Sequence, residues 1–205
     1  MSNAAEWQSE NDGVALMDDS DRATGVPVNI RRVVTQHDEQ GLSAVASDGM
    51  PPMCSAYQHI PGMVTRLVWA TSAGEPISST PGDPTSPMVS HVPQPGETRF
   101  IIATFPPDSV FASPLFDGAK AGDENARLSP GLAELFEESG FHQTDSIDYG
   151  IVLDGTLTLE LSAGSKSVLN QHDVVVQNGT RHAWRNETDK PATIAFVLIG
   201  TVRGD

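Results

Sequence analysis

Leucines alternate with polar residues along Thr156, Leu157, Thr158, Leu159, Glu160 and Leu161. A period of two predicts a β-strand with one buried face, and places Leu157, Leu159 and Leu161 in the core. Short apolar runs recur at Val168 and Leu169, from Val174 to Val176, and over residues 193–199. Nearer the N-terminus, residues 30–35 and 42–47 are β-rich and flank a Gly-containing turn at 37–41, which predicts a hairpin. Residues 64–71 and 99–105 read as two further strands, the second stopped by Pro106 and Pro107. One helix is predicted over residues 129–139. Ser129 can cap it, Pro130 suits its first position, Leu132, Leu135 and Phe136 share a face, and Gly140 ends it. Residues 73–96, rich in Gly, Pro and Ser, read as a loop long enough for a lid or partner contact, and residues 108–128 as irregular. Many short strands with one small helix predict an all-β sandwich or barrel, with no internal repeat.

A chain of 205 residues suits one domain. Residues 1–25 are polar, acidic and aperiodic, which predicts a flexible arm ahead of a single domain over 26–205. The formal net charge of −15 argues against nucleic acid or an anionic membrane as partner, because both need basic patches. The N-terminal residues show no basic start and no apolar run of a secretory signal, and no stretch approaches the roughly 20 apolar residues of a membrane helix, so a cytoplasmic location is expected. Cys54 is the single cysteine, which rules out an internal disulfide and a Cys-rich zinc site; a buried structural thiol is its expected role. No phosphate-cradling Gly loop follows a strand, and no serine sits in a nucleophile elbow.

Candidate chemistry concentrates in residues 142–149 and 173–186, which place His142, Asp148 and His182 on consecutive short strands. Two imidazoles and one carboxylate form the smallest common set that holds a divalent metal with positions open for substrate. His142, Thr144, Ser146 and Asp148 share parity. In one straight strand His142 and Asp148 would lie roughly 20 Å apart, at about 3.3 Å per residue. Ligand bonds are only roughly 2 Å, so the chain must turn between them, and Thr144, Asp145 and Ser146 are suitable turn residues. His182 follows Gly179, which allows the tight turn that would deliver it from a neighbouring strand. Each residue has a plainer alternative: His142 as a pocket histidine without metal, Asp148 as an ion-pair partner of Arg181 or Arg185. Tyr149 and Gln177 are candidates to shuttle or orient a proton, Trp184 and Thr144 to contact substrate, and Asn186 to bond backbone across a turn. His37, His59, His91 and His172 read as solvent or loop histidines, with His59 the best of them as a fourth ligand.

These segments resemble the two signature motifs of the cupin superfamily. In the first motif His142 matches the leading histidine, Asp148 the acid and Gly155 the glycine seven residues on. Thr144 stands where the family has a second histidine, and aspartate replaces the usual glutamate. In the second motif Gly179, His182 and Asn186 match in order; the turn proline is missing, and His172 replaces the glycine that precedes Asp173. The match covers residues 140–199 and is most similar to small single-domain cupins of microbial catabolic and natural-product pathways. Some fungal members of that group are described as cupin-domain oxidoreductases acting on aromatic polyketides. The resemblance implies a double-stranded β-helix, a jelly-roll barrel with residues 28–105 as outer strands. It also implies a homodimer, and a divalent metal ion (Fe, Mn, Ni or Zn) held by His142, Asp148 and His182. It points to an oxidoreductase, with isomerase or lyase chemistry needing the same ligands, on a small organic, aromatic or polyketide-derived substrate. Two other readings stay open: a metal-free cupin that promotes cyclisation or rearrangement by shape and acid/base groups, and a non-catalytic sensor or structural barrel.

Overall fold

The computed structural model describes residues 29–78, 82–85 and 90–204. The acidic arm expected over residues 1–25 lies outside the described residues. Two sheets dominate. Strands β1 (Arg32–His37) and β2 (Ser43–Gly49) pair as an antiparallel hairpin, as the N-terminal pattern predicts. A six-stranded sheet follows the order β3-β4-β5-β11-β6-β9, built from β3 (Met53–Ala56), β4 (Val64–Thr71), β5 (Thr98–Phe105), β11 (Ala192–Gly200), β6 (Ser146–Asp154) and β9 (Val174–Asn178). A three-stranded sheet follows the order β10-β7-β8, from β10 (His182–Arg185), β7 (Thr156–Leu161) and β8 (Lys166–Asn170). Every pairing is antiparallel.

The apolar alternation explains how the sheets meet. Val152 from β6, Leu157 from β7, and Ala192 and Ile194 from β11 form a buried cluster, against which Leu169 of β8 and Trp184 of β10 pack. Side chains of both sheets therefore share one core, which is the arrangement of a double-stranded β-helix. Leu67, Ile101 and Leu198 extend the buried core along the six-stranded sheet. On that sheet's other face Val68, Ile102 and Ala195 pack under Ile30, next to the hairpin. Arg32 fastens the hairpin there: its guanidinium reaches the Val68 carbonyl at 3.2 Å, pairs with Asp83 and lies 5.7 Å from the Trp69 ring centre.

Four features differ from the sequence expectation. The helix, α1 (Gly118–Leu128), precedes the predicted one; Asp117 caps its start through the Lys120 amide, and Ser129 closes its end. Beyond Ser129 the chain makes only one turn of 3-10 helix, Ala133–Leu135. Ser129 is engaged as an end rather than a start, with its amide on the Asn125 carbonyl and its hydroxyl 2.8 Å from the Tyr57 hydroxyl. Gly131, in the left-handed region at φ 81°, breaks any continuation. Cys54 is exposed, not buried: β3 is the sheet edge, and Cys54 falls on the outward parity of that unpredicted strand. His91 is buried at 3% exposure, not a solvent histidine, because its amide ties the loop to the Pro130 carbonyl. Leu161 is only partly buried at the fraying end of β7, whereas Leu157 and Leu159 are core. No described helix is long and apolar enough to cross a membrane.

Candidate active site

The chain passes from one sheet to the other between His142 and Ser146, which is the bend that the ligand spacing demands. His142 forms an isolated antiparallel bridge with His182, while Ser146 already belongs to β6. Arg203 pins the bend, donating to the Asp145 carboxylate and, at 3.0 Å, to the Thr144 carbonyl. Gly179 at φ 59° turns the chain from β9 into β10 and so delivers His182. At the head of the second motif His172, which stands where the resembling motif has glycine, adopts the left-handed conformation at φ 74°.

Inside the fold these turns gather His142, Thr144, Ser146, Asp148, Gln177 and His182, all buried. They form two halves. In the first, the Ser146 hydroxyl lies 2.6 Å from Asp148 Oδ1 and 2.8 Å from the Thr144 hydroxyl. A hydroxyl has one proton to give. Ser146 is the donor in both contacts, so its single proton is divided between the Thr144 oxygen and the carboxylate. Gln177 stands directly across the strand pair from Asp148. Burial raises the Asp148 carboxyl to about 6, against the opposing Ser146 hydrogen bond.

The second half is the histidine pair, with ring centres 4.3 Å apart. Burial, then the neighbouring His182, lowers His142 to about 3; the Gly140 backbone opposes this without an aligned bond to Nδ1, which is buried and unpartnered. Burial also lowers His182, against the Thr180 carbonyl. Both rings are thus neutral near pH 7. His182 Nδ1 lies 2.9 Å from the Thr180 carbonyl oxygen. A carbonyl only accepts, so Nδ1 carries the proton and Nε2 keeps the lone pair. The same carbonyl accepts a long 3.4 Å bond from Gln177 Nε2, which joins the halves.

The predicted ligand set is only partly assembled. Among the described residues no three His, Cys, Asp or Glu side chains gather closely enough to share one ion. His142 and His182 come together, but Asp148 is held by Ser146 in the other half. The pair itself suits an ion: a carbonyl-oriented neutral imidazole and a buried ring with an unused nitrogen are what metal-ligating histidines offer. Neither alternative ion pair of Asp148 forms, since Arg181 binds Glu137 and Arg185 binds Glu160. Thr144 and Gln177 are buried beside Ser146 and Asp148. Trp184 lies beneath it, 5.9 Å from His182 and packed on Phe196. Tyr149 is not brought there; it faces outward from β6 at 48% exposure. His59 is exposed on a loop whose amide binds Glu124. Two clefts of about 260 and 290 Å³ contain neither histidine, although the second touches Thr144 and Ser146. Sequence reasoning passed over Ser146 as a functional group, although its parity with Asp148 was visible, and gave Phe136 a helix face instead of its place over His142.

No protein-family model matches the chain. Curated relatives do. Phomopsin biosynthesis cluster protein D of Diaporthe leptostromiformis is 42% identical over 80 residues, 33% of this chain and 42% of that protein. A cupin-domain-containing oxidoreductase of Neurospora crassa is 40% identical over 65 residues, 30% of this chain and 33% of that protein. One from Hypocrea virens is 38% identical over 64 residues, 30% of this chain and 33% of that protein. The chain thus spans less than half the length of the curated relatives it matches. A cupin-family protein of double-stranded β-helix fold from Methanocaldococcus jannaschii overlays 50% of this chain and 70% of its own at 12% identity and a TM-score of 0.33.

Proposed function

We propose that this chain, which has the double-stranded β-helix of the cupins and shares sequence with cupin-domain-containing oxidoreductases, is an enzyme acting on a small organic metabolite. The observation that carries this reading is the buried, neutral His142–His182 pair beside a buried carboxyl: unsatisfied polar groups in a core cost stability and suit chemistry. His142 and His182 hold a divalent ion through imidazole nitrogens. Such an ion supplies Lewis-acid polarisation of a carbonyl or enolate oxygen, and redox chemistry if it is iron or manganese. Asp148, near neutrality, takes and returns a proton, and the Ser146 hydroxyl orients it. Gln177 offers an amide to substrate. The names of the relatives support a role in secondary metabolism of oxidoreductase type, and the motif resemblance adds an aromatic or polyketide-derived substrate.

The position of Asp148 favours one second reading. Because the carboxyl keeps to Ser146, outside the histidine pair, Asp148 and the histidines can act as an acid/base set without metal. Elemental mass spectrometry on protein purified without a histidine tag separates the two. Near-stoichiometric iron, manganese, nickel or zinc that disappears in His182→Ala is the expected result. Protein that stays metal-free after incubation with each ion would sink the metal reading and leave the acid/base one.

A further inference from the structure

His142 is held in an unusual way. Its Nδ1 is buried without an aligned hydrogen-bond partner, and the Gly140 backbone acts on the ring less directly than the Thr180 carbonyl acts on His182. Two rings flank His142. Phe136 lies 4.3 Å away, centre to centre, tilted by 31°, and His182 lies 4.3 Å away, tilted by 52°. A tilted ring contact at that distance restrains rotation of the imidazole.

Phe136 is 41% exposed, yet the segment that carries it is clamped. Arg181 grips the Glu137 carboxylate with two nitrogens and lies 4.0 Å from the Phe141 ring centre. Arg185 donates to the Ser139 carbonyl at 2.8 Å. The Glu137 amide reaches the Phe141 carbonyl, and the Gly140 amide returns to Glu137, each at 2.8 Å. Arg185 belongs to β10 and Arg181 immediately precedes it, so the strand that begins with His182 also anchors the cover over His142.

We infer that Phe136 is a positioning residue: its ring, packed on the imidazole, sets the orientation of His142. This rests on His142 as a working group of the proposed site, but not on any metal. The test is side-chain NMR of metal-free protein labelled with 15N,13C-histidine, with His142→Gln to assign the His142 signals. In wild type His142 shows one ring conformer, shifted upfield by the Phe136 ring current. In Phe136→Ala the signals move downfield and broaden, while those of His91, which is buried elsewhere, stay. Phe136→Trp restores the narrow His142 signals; Phe136→Leu keeps the melting temperature but not those signals. Unmoved His142 signals in a folded Phe136→Ala protein would overturn the inference, as would full restoration by leucine, which would make Phe136 a mere apolar cover. If the alanine variant fails to fold, the Trp and Leu variants alone decide. Because no metal is added, loss of the metal reading and loss of this one are separate results.

Discussion

His182 opens β10 and Asn186 follows its end, yet the two buried polar regions are built on opposite terms. Asn186 satisfies its whole amide. Its Nδ2 donates to the Phe105 carbonyl at 3.1 Å and to the Lys190 carbonyl at 2.7 Å; its Oδ1 accepts from the Thr188 amide and hydroxyl. The histidine end makes one bond from His182 and leaves His142 Nδ1 with none. A buried amide that meets every partner stabilises the turn it closes. A buried pair with spare nitrogens gives up stability and keeps capacity for another group. Substitutions at the two ends should therefore separate stability from function. Asn186→Ala takes this partner from the Phe105 carbonyl and the Thr188 amide and leaves the Lys190 carbonyl with only the Thr188 hydroxyl, and is expected to cost about 3 kcal/mol. His142→Leu removes a group that was already unsatisfied and should change stability by less than about 1 kcal/mol. Urea unfolding of both variants measures the contrast, and equal losses would break it.

A smaller loss is expected at the corner between the sheets. Gly155 links β6 to β7 at φ 75°, and a Cβ there would lie 2.9 Å from both the Pro191 carbonyl oxygen and the Ala192 Cβ. Backbone cannot yield as a side-chain tip can, so Gly155→Ala should cost about 2 to 3 kcal/mol by the same measurement. A loss below about 1 kcal/mol would show that the corner relaxes.

Gly155 also marks how far the sequence was legible. Alternation at residues 156–161 and short apolar runs elsewhere predicted strands of both sheets, because a period of two survives in a half-buried strand, whereas β3 carried no such pattern. The bend between His142 and Ser146 followed from a distance alone. The helix was misplaced because Ser129 and Pro130 have start chemistry and end chemistry alike: here Ser129 closes α1, and Gly131 forbids a restart. In the site, parity put Thr144, Ser146 and Asp148 on one side, and the turn glycine brought His182 beside His142. What parity cannot convey is distance across sheets. Asp148 belongs to the six-stranded sheet and the histidine bridge to the other side of the bend, so the carboxylate found Ser146 instead of the imidazoles. Phe136 was invisible as a partner of His142 because its contact depends on how Arg181 and Arg185 fold the intervening segment back.

The two halves of the site should also respond oppositely to acid. Asp148 titrates at about 6 against a usual 3.8, so the native state takes up its proton first; this group costs stability above pH 6 and the cost fades as pH falls toward 4. His142, at about 3, and His91, at about 4, are depressed from 6.5, so their contribution is complete above pH 6.5 and is lost as pH falls. Both histidines remain in Asp148→Asn and cancel in the difference from wild type. Metal-free Asp148→Asn should therefore be more stable than wild type by on the order of 2 kcal/mol at pH 8 and equal to it at pH 4. A constant difference across that range would mean that the carboxyl titrates normally.

The least effect is expected from the neighbour of Asp148. Tyr149 and Asp148 are adjacent in β6, but successive side chains of a strand point to opposite faces. Asp148 pairs across to Gln177 on the inner side, whereas Tyr149 pairs to Val176, which is exposed like Tyr149 itself. The outer face holds the exposed Tyr149, Ile151, Val174 and Val176, and among the described residues the phenol has no hydrogen-bond partner. Tyr149→Ser should thus change stability by no more than about 0.5 kcal/mol, and leave the His142 ring signals and any metal content at wild-type levels. Gln177→Ala, one strand away on the inner face, removes the amide that shares the Thr180 carbonyl with His182 and should shift the His182 ring signals. If Tyr149→Ser moved those signals and Gln177→Ala did not, the inner face of β6 and β9 would not be the working face.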